Sequence, residues 1–162
     1  RGRGGYVKDL HGQKATYYQV NATYYSALGC DDASMLLARA IHLFMPGKPQ
    51  VWYLDLFAGE NNLAAVERAG SGGHKEINRT NLSADDLEAG LARPVVQRQI
   101  DLLRFRNTHP AFGWDAELTA SGEGSVLILE WSREGHTARL EADLATRAFR
   151  ITADGTDLDS QD

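Results

Sequence analysis

The chain has 162 residues, 43% hydrophobic and 24% charged, an ordinary composition for one globular domain that argues against disorder. A formal net charge of −5 argues against nucleic acid or an anionic membrane as partner, because binding to phosphates takes a basic excess. One cysteine, Cys30, cannot close an internal disulfide, so a reducing, cytoplasmic compartment is expected, and no apolar run reaches the ~18 residues of a membrane span.

The opening RGRGGYVKDLHGQK is glycine-rich and basic, and reads as a tail or as the middle of a loop in something longer. Tyr17 to Gly29, YYQVNATYYSALG, follows it and is too polar for core. The clearest helix is predicted from about Asp31 to Met45: an aspartate caps its first turn, Leu37, Ala40, Ile41 and Phe44 repeat at helical spacing, and Pro46-Gly47 ends it. Gln50 to Phe57, QVWYLDLF, carries no charge before Asp55 and predicts a strand buried on both faces. Residues 58–82 are loop-rich, with a brief helix at Leu63 to Ala69. So long a loop in a compact domain is uncommon unless it has a task.

Ser83 with Asp86 three residues on is a helix-capping signature for a segment ending near Gly90. Pro94 opens a second strong helix in which Val96, Ile100 and Leu103 share a face. From about Ala116 the period changes to two: SVLILEW, TARLEA and AFRITA read as strands, with turns at Ser132 to Gly135 and Asp143 to Thr146. An αβα portion is thus followed by a small antiparallel sheet, with the boundary near Gly113 to Glu117. One helix, one buried strand and one helix cannot close a sheet, so the chain reads as the end of a larger α/β protein.

Tyr18-Gln19-Val20-Asn21 with Thr23-Tyr24-Tyr25, Ala38-Arg39-Ala40 leading to Pro46-Gly47-x-Pro49-Gln50-Val51-x-Tyr53, Ala58-Gly59 with Asn61, and Ile77-Asn78-Arg79 stand in one colinear order. With Arg93-Pro94-Val95-Val96 and Arg104-Phe105-Arg106-Asn107, they resemble the C-terminal third of the sucrose phosphorylases, of the α-amylase superfamily (glycoside hydrolase family 13). The resemblance implies an α/β fold: the C-terminal portion of a (β/α)8 TIM barrel over residues 1–115, then part of a small antiparallel β domain over residues 116–162. YYQVN would lie on a mobile loop near the acceptor, and the AGENN to INR segment would be the long loop after the final strand.

The activity implied is retaining glucosyl transfer between a small α-glucoside and inorganic phosphate, releasing glucose 1-phosphate, with an aspartate nucleophile and a glutamate acid/base. The family's catalytic carboxylates precede the YQVN loop, so no catalytic residue is expected here. Four residues are expected to bind substrate: Tyr18 and Gln19 toward the acceptor, Lys75 and Arg79 toward the sugar. A tyrosine offers a flat face and one hydroxyl, and a glutamine amide both donates and accepts. Lys75 stands where the family carries an arginine that helps hold the glucose, and keeps the charge without the two-pronged geometry of a guanidinium. On the acceptor side Ala15-Thr16-Tyr17 replaces an aliphatic-acidic Leu-Asp-Leu, which leaves fructose, fructose 6-phosphate and glycerol open as acceptors.

No cofactor and no metal are expected, since the five histidines show no ligand spacing. The expected partners are sugar and phosphate, without nucleic acid or membrane, and with a homodimer as one option. Alternatives are a hydrolase or transglucosidase of the same superfamily, and a non-catalytic carbohydrate-binding or assembly module. Glu60 and Glu67 read as solvated loop residues, Tyr24 and Tyr25 as packing residues, and Trp52, Trp114 and Trp131 as core or interdomain anchors.

Overall fold

A computed structural model describes residues 4–9 and 17–158; the expectation for the opening segment falls largely outside them. In chain order the elements are β1 (Tyr6–Asp9), β2 (Tyr17–Asn21), α1 (Tyr24–Ala27), α2 (Asp32–Phe44), α3 (Tyr53–Leu56), α4 (Leu63–Ala69), a 3₁₀ helix (Gly73–Asn78), α5 (Ala84–Leu91), α6 (Pro94–Thr108), β3 (Glu117–Glu123), β4 (Val126–Arg133), β5 (His136–Asp143), β6 (Phe149–Ala153) and β7 (Thr156–Asp157). They divide into two units, Arg1–Met35 with Val51–Gln97 and Leu36–Gln50 with Arg98–Asp162.

The second unit is built on an antiparallel meander in the order β3-β4-β5-β6-β7. Period-two alternation in these strands puts Leu129, Trp131, Ala138, Leu140, Ala142 and Ile151 on one buried face. Leu129 stands opposite Leu140, and Leu140 opposite Ile151, so the apolar residues meet across neighbouring strands. Leu37, Ala40, Leu43 and Phe44 of α2 join Leu102 and Ala111 in the same core. Trp131 crosses that core and donates its indole N–H to the Phe44 carbonyl at 2.8 Å, which satisfies the backbone at the helix end.

Two hairpins set the register of the sheet. β4 joins β5 through Glu134-Gly135 (φ 49° and 85°), and β6 joins β7 through Asp154-Gly155 (φ 49° and 81°). Both are two-residue loops with positive φ at both positions, the mirror-image turn whose twist matches the flanking strands. β3, ELTASGE, is exposed along almost its whole length, and so lacks the apolar alternation that announces β4 to β6.

The helix signals of α4, α5 and α6 translate directly. Asn62 caps α4, Ser83 and Asp86 form a reciprocal capping box on α5, and Pro94 takes the first position of α6, where a missing N–H costs nothing. The buried stripe of α6 is turned by one residue from the predicted one. Val95, Val96, Gln99 and Leu102 are buried, whereas Ile100 and Leu103 are half-buried. Gln99 escapes an apolar-period reading because it is polar, yet it is 0% exposed and accepts from the Arg39 Nε at 2.9 Å. Arg39, 2% exposed, also donates toward His42 Nδ1 at 3.1 Å, and burial followed by the Arg39 charge holds the His42 imidazole below its ordinary pKa.

The predicted strand at Gln50 to Phe57 is not formed. Residues 50–52 join no ladder, and Tyr53–Leu56 coil into α3. A strand is held by neighbours, and none is paired to this segment among the described residues. Trp52 and Tyr53 are 49% and 38% exposed, where a doubly buried strand would hide both. Of the three tryptophans expected as anchors, only Trp131 is core, and Trp114 is fully exposed.

Candidate functional site

Within the first unit, YYQVN is strand, not loop: β2 pairs antiparallel with β1, Tyr6 opposite Asn21 and Lys8 opposite Gln19, with an irregularity between Lys8 and Asp9. Alternation puts Gln19 and Asn21 on one face of β2 and Val20, 67% exposed, on the other. The strand ends in a cap. Thr23 accepts from the Ser26 N–H at 3.1 Å, and Asp55 Oδ1 accepts from the Tyr24 N–H at 2.7 Å, so the first donors of α1 are met.

The segment after α3 is held down by Arg93, whose guanidinium donates to the Phe57 and Ala58 carbonyls at 2.9 and 3.2 Å and lies 5.6 Å from the centre of the Tyr25 ring. Tyr25 is buried and its hydroxyl donates to Asp32 Oδ1 at 2.8 Å; burial, then the neighbouring carboxylate, push its phenol above the ordinary pKa. Farther on, Ile77 is 0% exposed and anchors the 3₁₀ helix. With three residues per turn, Lys75 and Asn78 fall on the same side of that helix, and Arg79 follows as its C-cap.

These pieces line an open cavity of about 230 Å³, whose walls are Gln19, Asn21, Trp52, Lys75, Asn78 and Arg79. Its residues come from three stretches, 19–21, 52 and 75–79, and three of the four residues expected to bind substrate stand on it. The backbone of the fourth, Tyr18, lies in β2, but its side chain is outside the described residues. Asn21, Trp52 and Asn78 were not foreseen. Asn21 and Asn78 stand inside the YQVN and INR motifs, but their residue type alone assigns them no contact, and Trp52 reads as core because its neighbours are apolar.

The lining is arranged for recognition of polar ligands. Trp52 has its indole N–H committed to the Asn78 carbonyl at 3.0 Å, and its ring lies 4.9 Å from that of Tyr53, whose hydroxyl donates to the Thr80 carbonyl at 2.7 Å. The indole is therefore held in one orientation. Asn78 Nδ2 approaches the Ala22 carbonyl at 3.5 Å. Asn21 is 4% exposed, and its Nδ2 has no hydrogen-bond partner among the described residues. A buried amide donor without a partner is an unusual expense in a folded protein.

Lys75 and Arg79 are both exposed; Arg79 lies 3.7 Å from Glu76, a surface pair of small energetic weight. The wall thus supplies one aromatic surface, amide donors and acceptors, and two cations, the groups that hold polyols and their phosphates. Among the described residues there is no cluster of three or more His, Cys, Asp or Glu side chains that could hold a metal ion, and no helix is long and apolar enough to cross a membrane.

No protein-family model matches the chain. The sucrose 6(F)-phosphate phosphorylase of Ilumatobacter coccineus is 58% identical over 153 residues, covering 93% of this chain and 29% of the relative. The sucrose phosphorylase of Agrobacterium vitis is 42% identical over 85% of this chain and 28% of the relative, and the glucosylglycerol phosphorylase of Marinobacter adhaerens is 37% identical over 83% and 28%. The crystal structure of sucrose 6F-phosphate phosphorylase from Thermoanaerobacter thermosaccharolyticum matches with a TM-score of 0.87 at 36% identity, over 97% of this chain and 33% of that one. The chain spans under a third of the length of these curated relatives.

Proposed function

The chain is a sucrose phosphorylase-like segment, and from that premise we propose that it supplies sugar-binding walls to an enzyme that moves a glucosyl group between a small α-glucoside and inorganic phosphate. The observation that carries the reading is the convergence of Gln19, Asn21, Trp52, Lys75, Asn78 and Arg79 on one cavity. In this reading residues 1–115 belong to the closing end of a (β/α)8 barrel and residues 116–162 to a C-terminal β domain. Barrels of this kind carry their chemistry on the loops after the strands.

The reaction proceeds by double displacement. A carboxylate nucleophile attacks the anomeric carbon as the bond to the leaving oxygen breaks, and a carboxylic acid protonates that oxygen. A phosphate oxygen then attacks the glucosyl ester, the carboxylate leaves, and glucose 1-phosphate is formed. Both carboxylates lie in the remainder of the enzyme; this segment contributes binding. Trp52 gives the sugar ring a flat surface, and Gln19 and Asn21 pair with hydroxyls. Lys75 and Arg79 counter the charge of phosphate or of a phosphorylated sugar.

The test uses the complete enzyme that carries this segment. It is incubated with sucrose, sucrose 6-phosphate or glucosylglycerol, with and without phosphate, and assayed for glucose 1-phosphate. Phosphate-dependent glucose 1-phosphate from one of the three is expected, and the productive one names the acceptor. Free glucose formed at the same rate without phosphate would replace the reading by hydrolysis; no turnover of any of them would end it.

A further inference from the structure

Two adjacent asparagines, Asn61 and Asn62, reach in opposite directions from the loop after α3. Asn61 Oδ1 accepts from the Thr23 N–H at 2.7 Å, and the Asn61 N–H donates to Ser26 Oγ at 2.9 Å; both partners flank the junction of β2 and α1. The Asn62 N–H donates to the Ile77 carbonyl at 2.8 Å, inside the 3₁₀ helix, and its Nδ2 donates to Thr80 Oγ1 at 3.1 Å, just past it. Its Oδ1 meanwhile accepts from the Ala65 N–H at 2.9 Å and caps α4. Thr23 and Ile77 are each 0% exposed, so both ends of the connection are anchored in packed structure.

We propose that Asn61 and Asn62 are positioning residues that set the distance between the cavity's two walls, β2 with Gln19 and Asn21 on one side and the 3₁₀ helix with Lys75, Asn78 and Arg79 on the other. Consecutive Cα atoms are separated by a fixed ~3.8 Å, so two neighbours that each hold one wall make a spacer of nearly constant length. The residue type follows from the task. Asn61 needs an acceptor of the right reach, and Asn62 needs an acceptor and a donor on one short side chain, which an amide provides. The direct link between the walls, Asn78 Nδ2 to the Ala22 carbonyl, is at 3.5 Å the longest of these bonds and the weakest.

The inference rests on the reading of the cavity as a sugar site, and its test has an arm that does not. In the complete enzyme, Asn61→Ala removes the acceptor for Thr23, and Asn61→Asp keeps one. Asn62→Ser keeps a cap for α4 but is too short to reach Thr80. Hydrogen exchange of peptides covering residues 22–27 is expected to speed up about fivefold in Asn61→Ala, the worth of one net hydrogen bond, and to return in Asn61→Asp. For the productive glucoside, Asn61→Ala and Asn62→Ser are expected to raise KM about fivefold with kcat within about twofold, the pattern of a lost binding geometry.

Unchanged exchange in Asn61→Ala, or an unchanged KM in both variants, would overturn the spacer role. An enzyme that turns over no glucoside would remove the sugar-site reading, and the exchange arm would then decide the spacer alone.

Discussion

Replacing Asn21 by leucine should separate stability from binding. Asn21 is 4% exposed, and its Nδ2 finds no acceptor among the described residues. A buried donor without a partner costs about 1–3 kcal/mol, whereas an apolar group of similar shape carries no such cost. Allowing for imperfect fit of the branched side chain, Asn21→Leu should make the ligand-free protein more stable by about 1 kcal/mol. Binding moves the other way. Asn21 lines the cavity, and if its amide pairs with a sugar hydroxyl, its loss should weaken affinity about tenfold, equivalent to about 1.4 kcal/mol.

Urea unfolding without and with sucrose in phosphate-free buffer measures both effects. At a sucrose concentration about 100 times the parent Kd, the parent should gain about 2.7 kcal/mol and the variant about 1.4 kcal/mol. Two results would refute the reasoning: a ligand-free variant less stable than the parent by more than about 1 kcal/mol, which would mean the amide is already satisfied, or a sucrose-induced gain equal to the parent's.

Gln99→Leu takes one acceptor from the buried Arg39 guanidinium and should cost about 2 kcal/mol, with Gln99→Glu costing less because an acceptor remains; urea unfolding followed by the fluorescence of the buried Trp131 checks the order. Ser83→Ala breaks the capping box of α5 and should cost about 1 kcal/mol in the same measurement. In the parent, the backbone and side-chain hydrogen bonds from Ser83 hold the Asp86 carboxyl below its ordinary pKa. The stabilisation is therefore complete above the unfolded-state pKa and is lost as pH falls through the lower, folded one. An NMR titration of Asp86 should show its midpoint rising in Ser83→Ala, and an unmoved midpoint would contradict the assignment of cause. Gly59→Ala drives a methyl group to 2.7 Å from Leu54 Cγ, a side chain only 2% exposed, and should lower stability by about 1–3 kcal/mol in thermal unfolding.

Most of the regular structure was legible because its signals are local. Asp32 to Phe44, Leu63 to Ala69 and the helix opened by Pro94 declare themselves by caps and apolar spacing within a few residues, and β4 to β6 by alternation. The failures share one cause. QVWYLDLF is apolar and branched, hence strand-like by composition, but strand is a property of pairs, and here α3 forms with Asp55 serving the end of α1. YYQVN was expected as loop from the family resemblance, and nothing local announces its partner, YVKD, eight or more residues upstream. β3 and Gln99 were missed for the converse reason: an edge strand need not alternate, and a buried polar residue is recognised only by its partner, sixty positions away in the case of Arg39.

The site divides along the same line. Gln19, Lys75 and Arg79 could be named from the likeness of short motifs to a known family, since motif identity is a property of residues in a row. That they share one cavity with Trp52, that the indole is turned out of the core and fixed by Asn78, and that Asn21 lines the same cavity with its donor buried and unpaired depend on bonds between residues far apart in the chain. Short-range patterns fix where helices and strands begin and end. Which side chains meet, and which polar atom is left without a partner, is settled only when separate segments pack and compete for the same partners.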